Sequence, residues 1–354
     1  MDARQEADLS EELLARVREA LAAGTPLRLD GGGSKAWYGR PVAATPLDVR
    51  GHRGIVGYDP SELVVTVRAG TPLAEVEATL DAHGQMLACE PPHYSGPATV
   101  GGMTAAGLSG PRRPWAGSVR DFVLGCRVIT GHGRHLRFGG QVMKNVAGYD
   151  VSRLMAGSLG CLGLITEVSL KVLPKPRATS SLRLEMGREA ALRKFAEWGR
   201  QPLPISAAIH DGEATLLRLE GGEGSVDAAR RQLGGEDVPA GSWTKLRDLE
   251  LPFFADSRPL WRLSVPAHRC PLELPGDALI DWGGAQVWLK SDAGAEAIRA
   301  AATTAGGHAD CLTPGAVDSP LHPLPETLRR YHRQLKAQLD PQGIFNPGRM
   351  YDWL

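Results

Sequence analysis

Residues 90–118, "EPPHYSGPATVGGMTAAGLSGPRRPWAGS", set the narrowest limit on how this chain can fold, because glycine and proline crowd a stretch that also carries Val100, Met103 and Leu108. Glycine costs about 0.5–1 kcal/mol against alanine wherever the backbone must be ordered. The apolar residues threaded through the segment argue against a disordered loop, which has nothing to bury. An ordered backbone without side chains is therefore expected, and it should gain something in return. Close approach of main-chain N–H groups to an anionic ligand is one such gain.

A second glycine run lies upstream in "LRLDGGGSKAWYG", residues 27–39. It is close to two well-known phosphate loops and matches neither. In a Walker A loop Gly-Lys precedes Ser/Thr, whereas here Ser34 precedes Lys35 and the outer glycine is missing; the Rossmann fingerprint needs G-x-G-x-x-G. Read alone, the loop is either a phosphate cradle or a plain turn.

The spacing of apolar residues predicts a helix over 9–23, a short strand at "PLRL", a firmer strand at "SELVVTVRAG" and a helix from Pro72 to His83 stopped by Gly84. Two β-like runs, "FVLGCRVIT" and "RHLRF", flank a turn at "GHG"; Asp150 can cap a short helix over 151–156, and Ile165, Val168, Leu170 and Val172 mark another strand. Pro174 and Pro176 mark the best domain boundary. Beyond them strand, helix, a hairpin turning at Asp211-Gly212 and a second helix read as a ferredoxin-like unit. A looser copy follows, with "LWRLSVP", the hairpin "ALIDWGGAQVWLK" and a helix over 293–305. The two copies are expected to share one antiparallel sheet. The tail adds a helix over 325–339 with Leu328, Tyr331, Leu335 and Leu339 on one face. The expected class is α+β, with domains at 1–177 and 178–318 and a C-terminal segment 319–354 returning to the first.

Composition narrows the function. The 354 residues carry 40 basic and 40 acidic side chains, so no global positive field favours nucleic acid. Cys89, Cys126, Cys161, Cys270 and Cys311 are odd in number and widely spaced, without C-x-x-C or a nearby histidine pair, which argues against zinc, an iron–sulfur cluster or a disulfide framework; no metal is expected. Cys126 and Cys161 sit in apolar runs and read as core residues. The opening residues lack a signal core and no segment approaches about 18 continuous apolar residues, so no transmembrane segment is expected and the cytoplasm is the expected location.

Four stretches, "LDGGGSKAWYG", "ATVGGMTAAGLSGPRRPWAGSVRDFVLGCRVITGHG", "KNVAGYDVSRLMAGSLGCLGLITEVSLKVLPKP" and "DPQGIFNPGRMY", resemble in order and spacing the vanillyl-alcohol oxidase, or PCMH-type, family of FAD-binding proteins. Within it the chain is most similar to the FAD-binding E subunits of bacterial glycolate oxidase. The resemblance implies an FAD between two α+β subdomains and a cap domain beyond them. It implies that Gly31, Gly32, Gly33, Ser34 and Lys35 face the diphosphate, and that Thr99, Val100, Gly101, Gly102, Gly107, Ser109 and Gly110 form the second flavin-contacting stretch. Ser118, Asp121 and Ile165 occupy later contact positions. Hydrogen-bond energetics agree for the first loop: each hydrogen bond to a charged group contributes about 1.5–3 kcal/mol, so three or four hold a cofactor without covalent help. Some family members tether the flavin to a histidine after the glycine loop; Ser34-Lys35-Ala36 offers none, so the FAD is expected to be noncovalent.

Relatives that oxidise 2-hydroxy acids carry a His-rich acidic motif near the cap's end, where this chain has only the isolated His308, His322 and His332. Such an oxidation needs a base, a cation for the substrate carboxylate and the flavin as hydride acceptor. Arg262, alternating with Trp261 and Leu263, is the candidate clamp, with an exposed strand arginine as the alternative. Arg112 and Arg113 read as a solvated loop, or as a contact to phosphate or a partner, and Lys144 and Asn145 as flavin-site or interface residues. The resemblance implies an FAD-binding subunit of a glycolate oxidase complex, beside a catalytic FAD-binding subunit and an iron–sulfur subunit, associated at most peripherally with the inner membrane. Two other readings stay open: a self-sufficient FAD-dependent 2-hydroxy-acid dehydrogenase of the D-lactate type, and a non-catalytic flavin-binding assembly subunit.

Overall fold

Two aliphatic runs, Val64–Arg68 and Leu164–Lys171, pair antiparallel in the middle of a five-stranded sheet that continues through Val123–Ile129 to His135–Gly139 and is edged on the other side by Ile55–Asp59. The strand Leu164–Lys171 is buried along nearly its whole length although it contains Thr166, Glu167 and Ser169. Each polar residue is answered: the Thr166 hydroxyl donates to Arg127 O at 3.1 Å, Glu167 accepts from Arg137, and Ser169 shares a hydrogen bond with Thr66 at 2.9 Å. Satisfied polar groups cost little when buried, which lets a mixed sequence sit in a central strand.

The computed structural model describes residues 7–94, 96–140, 149–271 and 273–354. Lys144 and Asn145 lie outside the described residues. Two units separate by their contacts: residues through Leu108, Gly117–Pro174 and Pro323–Leu354 form the first, Ser109–Ala116 and Lys175–His322 the second. The run 109–116, which the sequence reading leaves within 1–177, clusters with the second unit.

In the first unit, Leu27–Asp30 pairs in parallel with Thr45–Asp48, and the C-terminal tail joins the same edge, since Leu27 N donates to Ile344 O at 2.7 Å and Asn346 N to Leu27 O at 2.9 Å. The tail helix Glu326–Leu339 departs from its expected packing. Leu328, Tyr331 and Leu335 are 45%, 49% and 38% exposed, and the buried residue of the helix is Lys336. Its ammonium donates to Cys161 O, Asp340 Oδ2 and Phe345 O at 2.7–2.8 Å, so an ionic anchor holds the helix where an apolar stripe was expected.

His52, also of this unit, is almost fully buried and accepts from Leu9 N at 3.0 Å through Nδ1, which requires the neutral ring; burial, the largest influence, lowers its pKa. The unfolded chain therefore binds a proton that the folded one refuses, and stability rises with pH. The contribution is present above the ordinary value of 6.5 and is lost as pH falls below it. Urea unfolding between about pH 7.5 and 5 is expected to show this loss and His52→Gln to flatten it; an unchanged slope in the variant would remove His52 as a contributor.

The second unit is an eight-stranded antiparallel sheet, ordered Glu236–Asp237, Ala178–Leu184, Thr215–Gly221, Ile205–His210, Asp277–Asp281, Gln286–Lys290, Leu260–Ser264, His308–Cys311. The hairpin at Asp211-Gly212 and the sharing of one antiparallel sheet follow the sequence reading. Two cores pack against it, one around Phe195, Trp198 and Leu217, the other around Trp261, Leu289 and Ile298. The segment 109–116 is fixed here by Trp282 Nε1, which donates to Gly110 O at 3.0 Å, and by Arg112, buried and paired with Glu220 at 2.8 Å. Arg112 is thus not part of a solvated loop; burial becomes tolerable because Glu220 supplies the opposite charge.

Candidate functional site

A cavity of about 670 Å³ opens in the first unit where the two glycine runs meet. Gly31, Gly32, Gly33, Ser34 and Lys35 line one side, and Thr99, Gly101 and Gly102 another. Their closeness explains the missing side chains. A Cβ on Gly32 would collide with the Pro97 carbonyl, one on Gly31 would lie 2.8 Å from Thr99 Oγ1, and one on Gly101 2.7 Å from the Ala69 Cβ. Only bare backbone allows these strands of chain to pass so near one another and still present N–H groups to a ligand.

Thr99 caps the helix Val100–Ala106, with Oγ1 accepting from Gly102 N at 3.3 Å, and this fixes the turn that brings Gly101 and Gly102 to the wall. Lys35 reaches Ser34 Oγ at 3.2 Å and lies 5.3 Å from the centre of the Tyr94 ring, so its cation stays at the glycine loop. Ile165 lines the cavity as well, with its chain neighbours Gly163 and Leu164.

The remaining expected contacts lie elsewhere. Val100 is fully buried between two lining residues. Gly107 ends the capped helix in a left-handed conformation, φ 65°. Ser109 and Gly110 belong to the second unit. Ser118 and Asp121 form a capping box for the turn Val119–Phe122, with the Ser118 N–H and hydroxyl both donating to Asp121 Oδ2 at 2.8 Å. None of these six lines the cavity.

Residues that local sequence patterns do not reveal complete the wall. Arg28 pairs with Asp30 at 2.9 Å and Arg50 with Asp48 at 2.7 Å, all four at the cavity. Asn346 and Arg349 arrive from the C-terminus. Asn346 Oδ1 accepts from Leu29 N and its Nδ2 donates to Leu159 O, both at 2.8 Å, so one side chain fastens two walls together. The segment "DPQGIFNPGRMY" is the signal for Asn346 and Arg349 in the sequence, but nothing in its spacing says where it docks.

Arg262 sits in the second unit and is not an open clamp. Its guanidinium pairs with Asp310 at 2.9 Å, both side chains mostly buried, and Asp310 Oδ1 accepts from His322 N at 2.9 Å. Among the described residues no group of three or more His, Cys, Asp or Glu is placed to hold a metal. Burial raises the Cys126 thiol to about 12 and Cys161 to about 11, so neither offers a thiolate for chemistry.

Residues 4–139 match the family described as FAD binding domain. Along 347 residues, 98% of this chain and 99% of the relative, the sequence is 59% identical to the glycolate oxidase subunit GlcE of Escherichia coli. A D-lactate dehydrogenase of Archaeoglobus fulgidus is 28% identical over 68% of this chain and 59% of its own length, and the glycolate oxidase subunit GlcD of Bacillus subtilis is 34% identical over 36% and 27%. Among solved structures, an alkyldihydroxyacetonephosphate synthase superposes with a TM-score of 0.68 at 18% identity, covering 96% of this chain and 75% of that one; this likeness speaks to fold alone.

Proposed function

This chain belongs to the family of the Escherichia coli glycolate oxidase subunit GlcE, and from that premise we propose that it is the FAD-binding subunit of a multi-subunit oxidase that converts glycolate to glyoxylate. The observation that carries the reading is the cavity walled by Gly31–Lys35 and by Thr99, Gly101 and Gly102, where bare backbone from two segments converges. Bound there, FAD supplies a hydride acceptor that returns electrons singly or in pairs. The chain's own residues do the holding. N–H groups of the first glycine loop face the diphosphate, Thr99 sets the second loop, and Ile165 closes the adenine side. With no histidine after the loop, attachment is noncovalent.

Substrate chemistry is assigned to the assembly. Arg262, the candidate for gripping a carboxylate, spends its charge on Asp310. The partners proposed are a catalytic FAD-binding subunit, which binds the 2-hydroxy acid, and an iron–sulfur subunit, which carries electrons onward. Among the described residues no helix is long and apolar enough to cross a membrane.

The test is spectral. The purified chain, reconstituted and desalted, should keep FAD near one per chain. Glycolate should leave that flavin oxidised in the isolated chain and reduce it when the partner subunits are added. A folded chain that takes up no flavin would refute the reading, and reduction by glycolate or D-lactate in the isolated chain would replace it with the self-sufficient dehydrogenase.

A further inference from the structure

We propose that Arg349 is the cation that answers the cofactor's diphosphate, so that the C-terminal tail is itself part of the cradle. This rests on reading the cavity as the FAD site. Arg349 lines the cavity with the first glycine loop. Its Nη1 donates to Arg40 O at 2.9 Å, and its Nη2 to Ala36 O at 2.8 Å and Lys35 O at 3.2 Å. All three partners are neutral carbonyls, and among the described residues Arg349 makes no ion pair. Asp30, the carboxylate that acts on it through space, is engaged by Arg28 at 2.9 Å.

Carbonyls satisfy donors but do not cancel a charge. Arg349 is half-buried, and burial lowers its pKa; a guanidinium in such a place without a counter-anion carries a desolvation cost that an arriving anion offsets. The fork still has uncommitted donors among the described residues, and its planar geometry suits phosphate oxygens. Docking of the tail does not explain the residue. Asn346 already ties the tail to Leu29 and Leu159, and Lys336 and Asp340 anchor the turn before it. What Arg349 adds is positive charge beside Lys35 and Ala36, at the loop where the diphosphate is to lie.

The test measures FAD binding by calorimetry to the full-length chain stripped of flavin, at about 50 and 300 mM salt. Arg349→Gln should weaken FAD by about 10-fold or more and flatten the salt dependence, and Arg349→Lys, which keeps the charge without the fork, should fall between. Binding of FAD to Arg349→Gln within about twofold of wild type overturns the proposal. So does equal weakening of both variants with the wild-type salt slope, which would make Arg349 a prop for the loop. If Arg349→Gln does not fold, hydrogen exchange on the wild-type chain decides: ADP should slow exchange of the amides from Asn346 to Tyr351 several-fold, and no change overturns the proposal. A wild-type chain that binds no FAD defeats the functional reading itself, whereas wild-type binding with an unaffected Arg349→Gln defeats only Arg349's part.

Discussion

Gly32→Val should leave the chain without flavin. A Cβ at this position meets the Pro97 carbonyl oxygen and carbon, which are backbone and cannot swing aside. Either residues 31–33, which line the cavity, or residues 96–98, which lead directly into Thr99, must then move. Gly31 passes so near Thr99 that a Cβ on it would lie 2.8 Å from Oγ1, the atom that caps the helix Val100–Ala106, so a displacement of the loop reaches the second wall. Losing two hydrogen bonds to the diphosphate at about 1.5–3 kcal/mol each weakens binding by roughly 100-fold or more. Overpacking adds about 1–3 kcal/mol of destabilisation. Gly57→Ala is the control, since no atom lies within 4 Å of its Cβ position. Flavin absorbance per protein after desalting reads both variants. Should Gly32→Val retain FAD at wild-type affinity, the loop at 31–35 is not the cradle.

How far the sequence carries depends on whether the deciding contact is local. The strands at 64–68 and 164–171 are legible because their β-branched runs need only a sheet to enter, and the hairpin at Asp211-Gly212 because turn chemistry is set by two residues. The glycine runs are legible as places where side chains are excluded. What they approach is not, because the Pro97 carbonyl facing Gly32 lies 65 residues on. The tail shows the same limit more strongly. Leu328, Tyr331 and Leu335 form an apolar stripe on paper, yet the helix buries Lys336, whose acceptors Cys161 and Phe345 no periodicity can name. Arg262 and Arg112 behave alike: alternation or loop composition gives a direction, but Asp310 and Glu220, which settle their roles, come from distant strands. Asn346 meets Leu29 from 317 residues away.

Asp340→Ala should produce the largest loss of stability at a position that touches no ligand. Asp340 is 1% exposed and takes the Lys336 ammonium at 2.8 Å, while also accepting from Phe345 N at 2.9 Å and Ile344 N at 3.2 Å. Removing it strands a buried ammonium against carbonyls alone, at about 3–5 kcal/mol. For a unit of this size that lowers the melting temperature by on the order of 10 °C. The double change Lys336→Met with Asp340→Leu removes both charges and should recover part of the loss, but not the part from the Ile344 and Phe345 amides. A single variant within about 1 kcal/mol of wild type in urea unfolding would show that the pair is not the anchor. The effect should also reach the cofactor. Lys336 holds the Cys161 carbonyl, next to Gly160 in the cavity wall, and the Phe345 carbonyl, next to Asn346. When the anchor goes, both walls lose their registration, so FAD affinity should fall together with stability, whereas a charge change at the cradle itself should alter affinity and its salt dependence first.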